Sequence, residues 1–182
     1  MESLGRRIAM PTVRRIVVGI DGSLGSLQAL RYATEEARRR DVPLLPVIAW
    51  VPPGGDLAER RHSSPYLRKI WRDAAWERLT AAFDDGLGGI PADLQVEPHV
   101  ERGETGPVLV DIANQPEDLI VVGAGRRGAF GRLLRRSVAR YCVAHAKCPV
   151  LTVPPSALMD EMGHGLRSWQ RRHALIPNTP QI

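Results

Sequence analysis

Cysteine, lysine and long apolar runs are the scarce features of this sequence of 182 residues. The two cysteines, Cys142 and Cys148, do not make a disulfide framework and fit a reducing compartment such as the cytoplasm. No apolar run approaches the roughly 20 residues of a membrane helix. The first 20 residues carry Arg6, Arg7, Arg14 and Arg15 and lack a continuous apolar stretch before a small-residue cleavage site, so a secretory signal is not expected. Among 25 basic residues only Lys69 and Lys147 are lysines. Acid is absent from the whole stretch 119–159, which holds seven cations: Arg126, Arg127, Arg132, Arg135, Arg136, Arg140 and Lys147. Residues 51–104 instead hold ten acids against seven bases. Such a cationic block either meets an anionic partner (phosphate, nucleic acid or an acidic protein) or forms a solvated Arg-rich face. Collagen, coiled coil, disordered chain and secreted mini-protein are all excluded. What remains is 43% hydrophobic and 25% charged, the composition of one globular domain with a sizeable core.

Residues 1–13 lack periodicity and contain Gly5 and Pro11, so they read as a flexible N-terminal arm, and both Met1 and Met10 could begin the chain. The β-branched run 15–20, RIVVGI, has strand length and is broken by Asp21-Gly22-Ser23. A helix follows, with Leu27, Leu30, Ala33 and Ala37 on its apolar side and Glu35, Glu36 and Arg38 to Arg40 polar. Asp41-Val42-Pro43 ends it, and 44–51 is a second apolar run. A longer helix begins near Ser64, with Leu67, Ile70, Trp71, Ala74, Leu79, Ala82 and Phe83 as its apolar side.

Leu94, Val96, Pro98 and Val100 alternate with polar residues, predicting a strand with one wet face, and Pro98 places it at a sheet edge. Thr105 is the expected N-cap of a short helix with Pro107 in its first turn. Residues 119–122 form a buried strand, a helix starts near Ser137, and 149–153 is the last strand. Residues 156–182 form a C-terminal appendage, with one helix expected over 157–173. Five strands joined by helical crossovers make a doubly wound α/β parallel sheet in a single domain over 14–155.

Ligands of such sheets bind beyond the carboxyl ends of the strands, where the winding reverses. Two segments compete for that place: 19–23 after the first strand and 123–128 after the fourth. A carboxylate at a strand end accepts hydrogen bonds from a ribose hydroxyl or an adenine amine, and a Gly loop entering a helix holds phosphate with its N–H groups. Asp-Gly-Ser is by itself more often only a turn and helix cap. Cys142 and His145 share a helix face, yet no fourth ligand stands nearby and Cys142 lies on the apolar stripe, so they read as core and not as a metal site. His62 and His99 are isolated, and Trp71 and Trp76 sit five apart, so both cannot face the core equally and one is left to cover the strand edge or a partner subunit.

Together VVGIDGSLGSLQALRYATEEARRR, LLPVIAW and LIVVGAGRRGAFGRLLRRSVARYCVAHAKCPVLTVPP resemble the universal stress protein (UspA) family, over about residues 14–155. The resemblance implies a cytoplasmic stress-response protein and a Rossmann-like doubly wound five-stranded parallel sheet. It further implies strand order 3-2-1-4-5, helices on both faces, and a homodimer paired through the strand at 150–153. The family divides into ATP binders and non-binders. Binders carry Gly, two residues, Gly, nine residues, Gly and then Ser or Thr. Gly123 matches the first Gly and Ser137 the hydroxyl residue, with Val138 after it, while Arg126 and Arg136 stand where the second and third glycines belong. Asp21 matches the adenosine-contacting acid and Val47 the apolar residue lining adenine. The base and ribose end matches; the phosphate end departs. Arg in place of Gly adds bulk and removes positive-φ freedom, or it replaces backbone contacts with guanidinium ones.

Other readings fit less well. A flavodoxin-like protein would carry a Thr-rich loop after strand one, a receiver domain a second acid there, and an ATP pyrophosphatase a Ser-Gly-Gly signature. No nucleophile elbow and no acid–base pair points to an enzyme, and no metal is called for. The preferred reading is a binding module whose candidate ligand is ATP or another adenine nucleotide, with no membrane partner. The alternative is a non-nucleotide regulatory or nucleic-acid-associated module using the Arg-rich segment 126–140.

Overall fold

In a computed structural model the described residues are 12–53, 64–124 and 137–154. The arm up to residue 11, the appendage and the segment holding Arg126 and Arg136 lie outside them. The chain alternates β1 (Arg15–Ile20), α1 (Leu24–Arg40), β2 (Leu44–Trp50), α2 (Pro65–Leu87), β3 (His99–Arg102), α3 (Thr105–Ile112), β4 (Asp118–Gly123), α4 (Val138–His145) and β5 (Val150–Val153). The five strands form one sheet in the order β3-β2-β1-β4-β5, with every pair parallel. The expected order is therefore found, and the winding reverses between β1 and β4.

The central strands β1, β2 and β4 are apolar after their first residues because both faces of the middle of the sheet are covered, whereas the edge strand β3 is polar and exposed. Ile16, Val18 and Ile20 of β1 join Leu30, Ala33, Leu79 and Phe83 in the core under α1 and α2. Val17 points the other way and packs with Val47, Leu109, Ile120, Val122 and Cys142 under α3 and α4. Each fully buried aliphatic side chain contributes about 1.5–3 kcal/mol.

Four local expectations change. The third strand is shorter than 94–101, although an isolated parallel bridge, Leu44 to Val96, keeps the same register below it. The gap has a donor-level cause. Leu44 N–H donates to Gln95 O and Glu97 N–H to Leu44 O, so even-numbered residues of β2 direct their N–H groups toward β3. Pro46 has none to give. By the same alternation Pro98 turns its nitrogen away from β2, as an edge position requires.

Thr105 is the first helical residue of α3 and Glu104 is the N-cap, with no side-chain capping bond. On α2, Leu67, Ile70 and Ala74 are exposed. The inward face is Ala75, Leu79, Ala82, Phe83 and Gly86, with Trp71 half-buried and its ring 6.3 Å from that of Trp50. Trp76 is exposed. Glu36, read as a polar surface residue, is buried and ion-paired with Arg39 and Arg40.

At the amino end of the sheet Arg15 clamps Asp118 with two parallel bonds of 2.9 and 2.8 Å and also reaches Ile112 O. Gln115 N–H donates to the same carboxylate at 3.1 Å. This buried carboxylate thus joins the starts of β1 and β4 to the end of α3. An open basin of about 440 Å³ lies beside it, far from the carboxyl ends.

Candidate functional site

β1 ends at Ile20 and β4 at Gly123, two residues past their last paired positions, Val18 and Val121. Asp21 therefore leaves the sheet level with Ala124. This is the crevice where the winding reverses, the usual ligand place in such folds.

The first turn is built from the side chains of Asp21, Ser23 and Ser26 and from one glycine, Gly22. Asp21 Oδ1 accepts the Ser23 N–H at 2.9 Å, closing an Asx turn. Gly22 between them sits at φ +76°, where a Cβ is disfavoured. Ser23 is the N-cap of α1: its Oγ accepts the Ser26 N–H at 3.2 Å. The buried Ser26 hydroxyl returns a bond to Ser23 O at 2.9 Å. Asp21 thus shapes the turn while Ser23 does the capping, and the Asp21 side chain remains exposed at the crevice.

Gly123 closes the floor. A Cβ placed on it would meet Gly25 O at 2.7 Å and Gly25 C at 2.8 Å. The first turn of α1 thus rests backbone-to-backbone on the end of β4. Gly25 is a residue that sequence reasoning passed over. Its position two after the N-cap, on the helix that follows β1, was the available signal.

Ser137 is the N-cap of α4, accepting the Arg140 N–H at 3.4 Å. Its hydroxyl is exposed, and Val138 is half-buried against the core under α3 and α4. Val47 is fully buried in the same core, level with Gly19 of β1 and His99 of β3. The structure therefore brings Asp21 and Gly123 together at one crevice and sets Val47 in the core beneath α3. Arg126 and Arg136 lie outside the described residues. Among the described residues no cluster of three His, Cys, Asp or Glu side chains suits a metal ion, and no helix is long and apolar enough to cross a membrane.

The geometry defines a doubly wound α/β protein whose crevice joins a carboxylate turn to a glycine strand end. The family model of the universal stress proteins matches residues 12–154, and the chain belongs to that family. A universal stress protein of Mycolicibacterium smegmatis is 31% identical over 145 residues, covering 77% of this chain and 45% of that protein. One of Mycobacterium tuberculosis is 32% identical over 142 residues, covering 77% and 48%. The chain thus spans about half the length of the curated relatives it matches. Among solved structures, a universal stress protein in complex with cAMP is 28% identical with a TM-score of 0.52, covering 80% of this chain and 99% of that one. The protein UspA from Lactobacillus plantarum shares the fold at 22% identity and a TM-score of 0.54, covering 78% and 98%.

Proposed function

We propose that this chain is a nucleotide-binding stress-response module, cytoplasmic and without turnover of its own, whose crevice at the ends of β1 and β4 takes an adenine nucleotide. The observation that carries the reading is the pairing of Asp21 with Gly123 at the switch point, in a chain of this family. A relative solved with cAMP supports it. In this reading the second carboxylate oxygen of Asp21 accepts a hydrogen bond from a ribose hydroxyl or the adenine amine while the first holds the turn. The base lies toward β2, whose Val47 supports that side from within the core. The Ser137 hydroxyl and the start of α4 face the phosphate, since N–H groups and the helix dipole at a helix start favour an anion. Arg126 and Arg136 fall between Gly123 and Ser137 in the sequence. The module pairs with a second copy through the outer edge of β5, which has no neighbour strand among the described residues.

The test is to denature the purified protein and identify any nucleotide released, followed by calorimetric titration with adenosine, cAMP and ATP. Saturable binding of one of them, weakened by Asp21→Ala, is the expected result. If none of the three binds and duplex DNA binds with a steep salt dependence, near 0.9 log units per decade for each neutralised phosphate, the Arg-rich segment is the functional surface instead.

A further inference from the structure

We propose that Gly106 and Tyr141 are positioning residues of the crevice: the contact between them sets where Ser137 stands relative to Asp21. The inference deepens the nucleotide reading above and rests on it for its consequence. The linkage itself rests on packing alone.

α3 and α4 pack side by side on one face of the sheet, and three glycines seat α3. A Cβ on Gly19 of β1 would stand 2.8 Å from Leu109 Cδ1, and one on Gly103, just past β3, would stand 2.8 Å from Val108 Cγ2. Ordinary carbon–carbon contact is about 3.5–4.0 Å, so only glycine lets the helix lie this close. Gly19 is two residues before Asp21, and α3 is therefore held against the strand that carries the carboxylate turn. The third glycine faces the next helix. A Cβ on Gly106 would meet Tyr141 Cδ1 at 2.8 Å, Cγ at 2.9 Å and Cβ at 3.1 Å.

That contact is stiff. Rotation of the Tyr141 side chain leaves its Cβ in place, so an intrusion at Gly106 moves α4 itself. The ring also stacks on His145, with centroids 4.1 Å apart and planes 14° from parallel, and His145 Nδ1 lies 2.9 Å from Tyr141 O. Tyr141 in turn holds the start of α4. Its N–H donates to Ser137 O at 3.0 Å, while Ser137 Oγ accepts the Arg140 N–H at 3.4 Å. A contiguous line of packed groups thus runs from Gly19 through Leu109, Gly106 and Tyr141 to Ser137. It joins the strand end bearing Asp21 to the helix start that faces the phosphate in the nucleotide reading. Widening the gap between α3 and α4 shifts Ser137 and leaves Asp21 where it is. A helix start favours an anion only within its first turn, so the phosphate part of a nucleotide feels the shift and the nucleoside part does not.

The test compares the full chain with Gly106→Ala, Tyr141→Ala, their double variant and Tyr141→Phe. Hydrogen exchange without ligand reads the helix start. We expect the amides of Arg140 and Tyr141 to exchange about tenfold faster in Gly106→Ala and in Tyr141→Ala. Calorimetric titration reads the consequence. Each single variant is expected to lower the ratio of ATP to adenosine affinity by about three- to tenfold, with adenosine affinity held. In both readouts the double variant matches Tyr141→Ala, since the added methyl no longer meets a ring. Tyr141→Phe keeps the ring and behaves as the parent. Adenosine and ATP weakened equally in Gly106→Ala, or a ratio left unchanged there, would overturn the proposal. So would additive losses in the double variant, or a Tyr141→Phe protein that loses ATP as Tyr141→Ala does. A parent that binds neither ligand removes the nucleotide reading; the linkage then stands if exchange at Arg140 and Tyr141 is non-additive in the double variant and falls if exchange is unchanged.

Discussion

Gly123 and Gly25 touch through their backbones: a Cβ on Gly123 would stand 2.7 Å from the Gly25 carbonyl oxygen. The glycine that the family pattern assigns to ligand approach thus has a packing duty that exists with or without ligand. Gly123→Ala forces α1 away from β4 and is expected to cost about 1–3 kcal/mol, the range for overpacking a well-filled interior. Gly25→Ala meets only Ser23 Oγ at 3.8 Å, so it is expected to stay within about 0.5 kcal/mol of the parent. Urea denaturation of the two variants checks the asymmetry. Equal losses would mean that the two backbones are not in contact.

Asp21 and Ser23 divide the work of one turn, and their variants separate stability from binding. Ser23→Ala removes the cap of α1 and is expected to cost about 1 kcal/mol of stability, with little effect on adenosine affinity. Asp21→Ala loses a charge-assisted contact to ligand, worth roughly 1.5–3 kcal/mol, or about tenfold to a hundredfold in affinity. Its stability loss includes the exposed hydrogen bond that closes the turn at Ser23. Titration beside a melting curve distinguishes them. An Asp21→Ala protein that melts lower and binds adenosine unchanged would leave Asp21 with the turn alone.

Most of the fold was legible because the physics that sets it is local. RIVVGI after its arginine and the run from Leu44 are apolar without alternation, the pattern of a sheet covered on both faces. Pro98 pointed to an edge, and β3 is one. What was misread depended on partners out of sight. Leu67 and Ile70 have the spacing of a core stripe, yet α2 already fills its inward side with Ala75, Leu79 and Phe83. Glu36 looked like a surface acid until Arg39 and Arg40, on its own helix, were placed around it. The shortened third strand came from Pro46, whose missing N–H matters only once β2 is known to lie beside it. At the site, Asp21 and Gly123 could be placed from strand order. The Gly25 contact could not, because it depends on how closely α1 approaches the sheet.

Cys142 gives a pH prediction. Burial, with a smaller push from Cys148, raises its thiol from 9.0 to about 11. In the unfolded chain the thiol ionises near its ordinary value, while in the folded protein it stays neutral. The associated stability is therefore present in full below about pH 9 and is lost as pH rises toward about 11. The loss is on the order of 2 kcal/mol. Chemical denaturation at pH 8, 9 and 10 measures the slope. Cys142→Ala lowers the overall stability by removing a buried side chain and should flatten that slope. A slope unchanged in Cys142→Ala would assign it to another group. The same burial makes Cys142 resistant to alkylation in the native state, since the thiolate is the reactive form.

Arg126 and Arg136 stand where the family's binding pattern carries glycines, and their replacement decides what the loop does for phosphate. We expect Arg126→Gly combined with Arg136→Gly to raise ATP affinity more than adenosine affinity. Glycine adopts positive φ and lets backbone N–H groups and the start of α4 approach a phosphate, whereas arginine adds bulk and disfavours that backbone conformation. The opposing mechanism is equally definite. Two guanidiniums that clamp phosphate would contribute charge-assisted bonds, and deleting them would lower ATP affinity while adenosine affinity holds. Salt separates the terms, because a guanidinium–phosphate contact at the surface weakens between low and high ionic strength. Titration of parent and double variant with ATP and adenosine at two salt concentrations reads both. A fall in ATP affinity on substitution, largest at low salt, would establish an arginine-built phosphate site in place of the glycine one.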